Sequence, residues 1–587
     1  WDLNKRGGVG ETPFHLLFLM GTKEHTAVGK IFLELYPRMS LDVYEGNEYF
    51  GESALHIAVV NNDLETVKLL VKQGALVNQR ASGRFFLPED VKHGKDPKNT
   101  DYFGYAYYGE YPLAFAASFN FQEIYDHLLE NGADPDLKDS FGNTVLHMTV
   151  ICHQPKMYKY AVQHLTKKAN KDIENNAGLT PLTLASKLGR QQIFSEMLEI
   201  DSMVMWKYSN ITCSMYPLEN LDSVDREGKA NYKSALMIIV NGETDGHLDM
   251  LEGGVMRQLL EEKWKTFGQN RFIVRLLFAF IHLAMISVCV YTRPMRHGLL
   301  EISTPTDTVS IARLVFEILT CLICSLTLMI ELKEISGVGF LLFRHAPDQA
   351  IYLLACTLIL VCIPLRLTGL SDIEDTLLTI AVPCSFIYLL FFARVYRLTG
   401  PFVTMVYEMC IRDLFRFGIV YIIFLVGFTQ GFYFLFADVQ TDNTEVLKFS
   451  TYPDTIMNLF QMTLGEFKYE TFNYARYVWL TKFEFFIFMI LVPILLLNML
   501  IAMMGNTYHN IITKSEKEWR RQWAKILIVL ERGFFKKQLL RFQREYSIEF
   551  TDTKRALVVI KASNKSNAKQ SKAAKANWKV GCVFHSD

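Results

Sequence analysis

Six stretches of about 20 mostly apolar residues, crowded between positions 272 and 504, constrain this chain more than any other feature. They are FIVRLLFAFIHLAMISVCVY at 272–291, IARLVFEILTCLICSLTLMIEL at 311–332, runs at 350–365 and 376–396, LFRFGIVYIIFLVGFTQGFYFLFA at 414–437 and FEFFIFMILVPILLLNMLIAMM at 483–504. Each satisfies its own backbone polar groups as a helix in lipid. Lys263, Lys265 and Arg271 precede the first run, and Lys514, Lys517, Arg520, Arg521 and Lys525 follow the last. Both flanks therefore prefer the cytoplasmic side, and an even number of spans fits both termini there. The overall apolar fraction of 50% averages two regimes, because residues 1–265 carry charges throughout and the tail is polar and basic. Lys plus Arg equals Asp plus Glu, 61 each, so no charge imbalance points to nucleic acid. No signal peptide is visible at the start. Ten cysteines without framework spacing suit a reducing cytosol for the soluble parts.

Ahead of the spans a phrase recurs: GETPFHLL from Gly10, GESALHIA from Gly51, GEYPLAFAA from Gly109, GNTVLHMT from Gly142 and GLTPLTLA from Gly178. The second and third copies run on to helices ending LLVKQGALVN and LLENGADPD. This is the ankyrin pattern of a turn and two short helices. The spacings are 41, 58, 33 and 36 residues, so the larger gaps imply finger loops, one of them at 80–108. His56 and His147 read as turn-stabilising residues. The stacked repeats offer a curved binding surface whose ligand the sequence does not name.

Between the fifth and sixth spans lies YPDTIMNLFQMTLGEFKYE, 452–470, too short and polar to cross. Pro453 and Asp454 start a helix that runs to about Thr463. The following Leu464, Gly465 and Glu466 complete the pattern of a re-entrant pore loop. Gly465 lets the backbone turn and present carbonyls. Glu466, repeated around a ring of subunits, attracts permeating calcium and sodium. Asp438, Asp442 and Glu445 either concentrate cations nearby or are plain loop acids. Asn498 is the one amide in an apolar run, and marks either a helix irregularity or a bond to a neighbouring helix. Span four carries Arg394 and Arg397 without the repeated charges a voltage sensor needs. Cys321 and Cys324 form a C-x-x-C with no second pair at metal spacing. The sequons at Asn210 and Asn564 fall on the cytosolic side and go unused.

These residues, with YTRP at 291–294, RDLFRFGIVYIIFLVGF at 412–428 and LLLNMLIAMMGNTY at 495–508, resemble the transient receptor potential channels of the vanilloid subfamily. The filter and the aromatic fifth span look closest to the invertebrate Nanchung and Inactive type of insect stretch-receptor organs. The resemblance implies a mainly α fold, with a cytosolic ankyrin solenoid, a six-helix channel domain with a re-entrant pore loop, and short C-terminal strands. It also implies a homo- or hetero-tetramer in the plasma membrane, the ciliary membrane of sensory neurons among the expected sites. By match to the family, Ile501 and Met504 form the lower constriction and Trp519 belongs to the box after the sixth span. Arg394 matches the family's arginine in span four. Tyr407 stands where the vanilloid receptor has an acidic residue, with Glu408 next to it, so a lipid head group is expected there more than a vanilloid. Vertebrate filters of the T-I-G-M-G-D form are longer than T-L-G-E-F, so their calcium preference is not carried over residue by residue.

The expected organisation is ankyrin repeats at 1–200, a cytosolic linker at 201–265, spans one to four at 266–398, a linker helix at 399–413 and the pore domain at 414–505. The helix after the pore and a C-terminal helix follow at 506–542, then strands and a flexible tail at 543–587, with RALVVI and KVGCVF as strand candidates. Trp523, Ile526, Leu530 and Phe534 follow helical spacing in a basic segment. It reads as a calmodulin target, a membrane-surface helix or a structural helix under the pore. No cofactor and no enzymatic motif are expected. The functional expectation is a non-selective, calcium-permeable cation channel whose sensory stimulus, mechanical, thermal, lipid or small ligand, is relayed to a gate on the sixth span. The alternative is a non-conducting or obligate-heteromer scaffold. A potassium channel would show T-V-G-Y-G, and an acyltransferase D-H-H-C; neither occurs.

Overall fold

The computed structural model describes residues 5–209, 211–293, 308–338, 347–368, 370–437, 449–551 and 554–562. Asn210, Asp438, Asp442, Glu445, Asn564 and KVGCVF lie outside the described residues. The chain divides into two compact units, one of residues up to Ile273 together with those from Ala524, the other Val274–Trp523.

In the first unit each repeat phrase opens a helical hairpin. The pairs are Pro13–Leu19 with Lys23–Leu35, Ala54–Val60 with Leu64–Lys72, Pro112–Phe119 with Gln122–Glu130, Val145–Ile151 with Pro155–Val162, and Pro181–Lys187 with Gln191–Asp201. The glycine before each phrase has φ between 70° and 86°, a left-handed value that any side chain would strain. His56 Nδ1 accepts from the Ser53 N–H at 3.2 Å, and Nε2 donates to the Glu110 carbonyl in the next repeat at 3.2 Å. His147 repeats this with Thr144 and the Leu179 carbonyl, and His15 with Thr12 and the Asp42 carbonyl. In these three repeats the histidine thus ties the turn to the chain that follows, as the sequence implied for His56 and His147. Residues 80–108 are pinned down as well. Tyr107 donates to Asp139 at 2.6 Å, and Asn175 donates to the Tyr102 hydroxyl at 3.2 Å.

A sixth hairpin, Ala235–Asn241 with Asp245–Glu252, stacks on the fifth inside the expected linker. It lacks the glycine and the Thr-Pro-Leu-His turn, so the repeat pattern does not reveal it. Four antiparallel strands follow, in the order β1-β2-β4-β3: β1 Met203–Tyr208, β2 Ile211–Pro217, β3 Ile548–Thr551 and β4 Lys554–Ala562. The RALVVI segment is the body of β4, and its alternation buries Ala556, Val558 and Ile560 against Cys213 and Met215.

Beside the sheet, helix Gly254–Lys263 carries a wholly buried lysine. Lys263 Nζ lies 2.5 Å from Asp222 and 2.7 Å from Glu531, and donates to Ser223 at 2.5 Å. Tyr546 adds a hydrogen bond to Asp222 at 2.6 Å. One cluster therefore ties the linker, the helix ahead of the first span and the C-terminal helices.

In the second unit six helices are long and apolar enough to cross a membrane among the described residues. They are Gln269–Tyr291, Thr308–Val338, Pro347–Leu367, Ser371–Ile387 continued by Leu389–Ala393, Phe415–Phe436, and a sixth from Val478 to Thr513. Several polar groups inside the first four face one another, as lipid demands. Tyr352 meets His282 at 2.7 Å and stacks on Tyr388 at 4.2 Å, while Arg366 pairs with Glu317 and Glu374, each at 2.6 Å. Among the described residues no His, Cys, Asp or Glu cluster is built for a metal.

Two stability outcomes follow. Burial holds the rings of His56 and His147 down to about pKa 4, against 6.5 when unfolded. The unfolded chain binds more protons between those values. This stabilisation is full above about pH 6.5 and is lost as pH falls toward 4, by up to about 3 kcal/mol per histidine. Hydrogen exchange of the repeats between pH 7 and 4.5 should show it, with a smaller loss in His147→Gln. Lys263→Met strands two buried carboxylates and should lower unfolding stability by about 3–5 kcal/mol. Adding Glu531→Gln should recover part of the loss in a thermal melt of the purified protein.

Candidate pore and gate

The helix between spans five and six is Tyr452–Thr463. The Thr451 hydroxyl accepts from the Asp454 N–H at 3.3 Å, Pro453 occupies the first turn, and Asp454 adds a charge favourable to the helix dipole. One face carries Thr455, Leu459, Met462 and Thr463. Leu459 and Met462 enter a buried aromatic core with Phe432, Phe436, Phe449, Phe472 and Phe488. That core, drawn from spans five and six and from the segments on either side of this helix, holds the helix in place.

The ending itself is specific. Gly465 has φ +92°, its N–H bonds the Met462 carbonyl at 3.0 Å, and the Glu466 N–H bonds the Gln461 carbonyl at 3.1 Å. This pair of bonds is a Schellman cap, with Gly465 as its left-handed residue. It claims the carbonyls of Gln461 and Met462. Those of Thr463 and Leu464, next in line, carry no helical partner. Space is open where a Gly465 Cβ would stand, so the glycine is required by backbone conformation and not by crowding. The Leu464 and Glu466 side chains are exposed, and Glu466 lines a cavity of about 260 Å³ with Asn458, Gln461 and Thr471. Thr463 behaves differently: its buried side chain bonds Leu459 and meets Tyr421 of span five, so only its carbonyl is available to an ion.

The sixth span is three pieces: Val478–Met489, a widened π-helical turn over Ile490–Leu496, and Leu497–Thr513. The irregularity surrounds Pro493, which has no N–H to give and clashes with the preceding turn. Asn498 lies just beyond it, exposed and within regular helix. Ile501 is 60% exposed and Met504 half-buried, one turn apart on one face. Such an apolar face on a single chain needs either lipid or further copies to cover it.

Span four stops at Ala393, leaving Arg394 and Arg397 beyond its end. The chain re-enters a helix at Gly400–Glu408, widens over Met409–Leu414 and runs into span five. The Trp519 indole donates to the Val395 carbonyl at 3.0 Å. A Cβ on Gly400 would sit 2.8 Å from the Trp519 ring and 2.6 Å from the Arg394 carbonyl, so only glycine fits there. Arg394, 4% exposed, donates to Gln522 at 3.3 Å, and its guanidinium lies 5.7 Å from the Tyr407 ring centre. The structure thus brings Arg394 and Tyr407 together, while Glu408 pairs with Arg412 at 2.7 Å.

Helix Ser515–Arg532 carries Trp519 and Trp523, stacked at 6.1 Å. Its apolar face is occupied within the chain. Ile526 and Leu530 are buried, and Phe534 packs on Phe267 and Phe542. A calmodulin-type partner would have to displace these contacts. Sequence reasoning missed Tyr421, Gly400 and the Lys263 cluster. The helix cap was half legible, since Thr-Leu-Gly closing a helix is a capping signal.

Comparison with known proteins fits this geometry. Residues 270–532 match the family model described as calcium channel YVC1-like, C-terminal. Residues 113–205 match ankyrin repeats (3 copies), and residues 50–82 match an ankyrin repeat. Transient receptor potential cation channel subfamily V member 5 of Rattus norvegicus is 28% identical over 563 residues, 90% of this chain and 74% of that protein. Member 6 of the same organism is 28% identical, over 90% of this chain and 70% of its own length. Member 4 of Homo sapiens is 30% identical over 544 residues, 84% of this chain and 59% of its own length. With ankyrin hairpins, six spans and a capped helix between the last two, the chain belongs to the vanilloid subfamily of transient receptor potential cation channels and is a channel chain, not an enzyme.

Proposed function

We propose that this chain is the pore-forming subunit of a tetrameric, non-selective, calcium-permeable cation channel in the plasma membrane, with the repeat arm and the C-terminal helices on the cytosolic side. The observation that carries the reading is the Schellman-capped end of the pore helix. It leaves the carbonyls of Thr463 and Leu464 without helical partners and the Glu466 carboxylate exposed beside them, between two membrane spans. A hard cation is held by oxygen ligands of this kind. Four copies would bring these groups, and the apolar face of Ile501 and Met504, around one axis. A ring of apolar side chains closes to ions by dewetting, without a plug.

Gating would pass through the contact between Trp519 and the end of span four. A stimulus that moves Ser515–Arg532 pulls on the Val395 carbonyl and on the linker that leads into span five. A lipid head group at Arg394 and Tyr407 would have to displace Gln522, against which the buried guanidinium rests. Ile526 and Leu530 serve as packing residues of this helix and Phe534 of the turn after it, with calmodulin a competitor for that face.

Two measurements test the reading. With calcium or sodium as carrier, Glu466→Gln should weaken divalent block by about tenfold, equivalent to about 1.4 kcal/mol lost from the carboxylate ring. Unchanged block and permeability would sink the filter assignment, and current seen only with a related subunit would make the chain an obligate heteromer member. Gly400→Ala pushes Trp519 off Val395 and should shift the stimulus needed for half-maximal opening, with selectivity unaltered.

A further inference from the structure

We propose that Tyr421 is a positioning residue for ion selectivity, hanging the inner end of the filter from span five; this rests on the assignment of 463–466 as the filter. Tyr421 belongs to helix Phe415–Phe436. Phe424, Phe428 and Phe432 follow it at helical spacing and pack with it on the aromatic core behind the pore helix. Tyr421 is the ring of this stripe that carries a hydroxyl, and that hydroxyl lies 3.2 Å from Thr463 Oγ1. Its ring is steadied by Phe417 one turn earlier, stacked at 5.6 Å with 17° between planes.

The direction of the bond follows from proton bookkeeping. Thr463 Oγ1 also lies 3.0 Å from the Leu459 carbonyl, which can only accept. A hydroxyl has one proton, so Thr463 gives it to Leu459 and Tyr421 donates to Thr463. The relay Tyr421 to Thr463 to Leu459 fixes the threonine side chain on the last helical residue. The carbonyl of that residue is the first one the Schellman cap leaves open. A residue that merely filled space in this core would be phenylalanine, like its neighbours. The hydroxyl sets the angle at which the Thr463 carbonyl meets an ion, and a filter free to rotate there discriminates less.

Tyr421→Phe keeps the ring and removes the donor. The full chain, in whichever homomeric or heteromeric assembly conducts, is recorded under bi-ionic conditions with calcium against sodium. The permeability ratio should move toward unity by roughly two- to tenfold, the worth of one neutral hydrogen bond. Thr463→Val should give the same shift, Thr463→Ser should keep the original ratio, and the double variant Tyr421→Phe with Thr463→Val should shift no further than either single one. If Tyr421→Phe fails to reach the membrane, the Thr463→Val and Thr463→Ser pair reads the same bond from its other end. An unchanged ratio in Tyr421→Phe or Thr463→Val, with Glu466→Gln still altering divalent block, overturns the proposal and leaves the filter in place. If Glu466→Gln is also without effect, the filter assignment itself has failed.

Discussion

Inside a bilayer every backbone polar group has to find a partner within the protein, and the end of the helix between spans five and six leaves that demand unmet among the described residues. Helices satisfy it along most of the described spans, apart from turns such as the one at Pro493. At the end of Tyr452–Thr463 the Schellman cap recovers two carbonyls and leaves the next two open. In the proposed filter, those open groups take the place of water around a dehydrating cation. The rest of the pore unit serves to hold this unfinished helix end still. Aromatic rings from spans five and six pack behind it, and Tyr421 anchors its last side chain.

The same economy governs the polar residues elsewhere in the chain. Lys263 is fully buried, and is tolerated because two carboxylates and a hydroxyl surround it. Such a cluster adds little net stability over apolar packing, but it is intolerant of rearrangement. That intolerance suits a joint where the linker, the helix ahead of the first span and the C-terminal helices meet. At the end of span four, Gly400 clears room for Trp519, and one indole hydrogen bond joins the helix after the pore to the linker before it. Both joints connect elements far apart in sequence through a few close contacts.

Much of the fold was legible in the sequence because its signals are local. Gly51 or Gly142 opening a turn, histidine three residues after a serine or threonine, and runs of 20 apolar residues each declare themselves within one element. The helix between the last two spans and its end near Thr463 were legible, since Pro453, Asp454 and Gly465 punctuate it. The sixth hairpin at 235–252 was not read, because it forms by stacking on its neighbour without the signature turn. Asn498 is one candidate for an irregularity in span six, yet the widened turn belongs to Pro493, whose missing N–H is the stronger local cause. The roles of Ile501, Met504, Arg394 and Glu408 rest on the family match and on the arrangement of further copies.

The sequence by itself determined the repeats, the spans and the short helix between the last two spans, since each follows from short-range periodicity and from glycine and proline placement. Only the tertiary structure decided which side chains serve them. Lys263 and Glu531 are separated by 268 positions, and Tyr421 and Thr463 by 42, and nothing local marks either pair. A buried charge or a lone hydroxyl acquires its meaning from the group that packing places opposite it, and packing is settled by the whole chain.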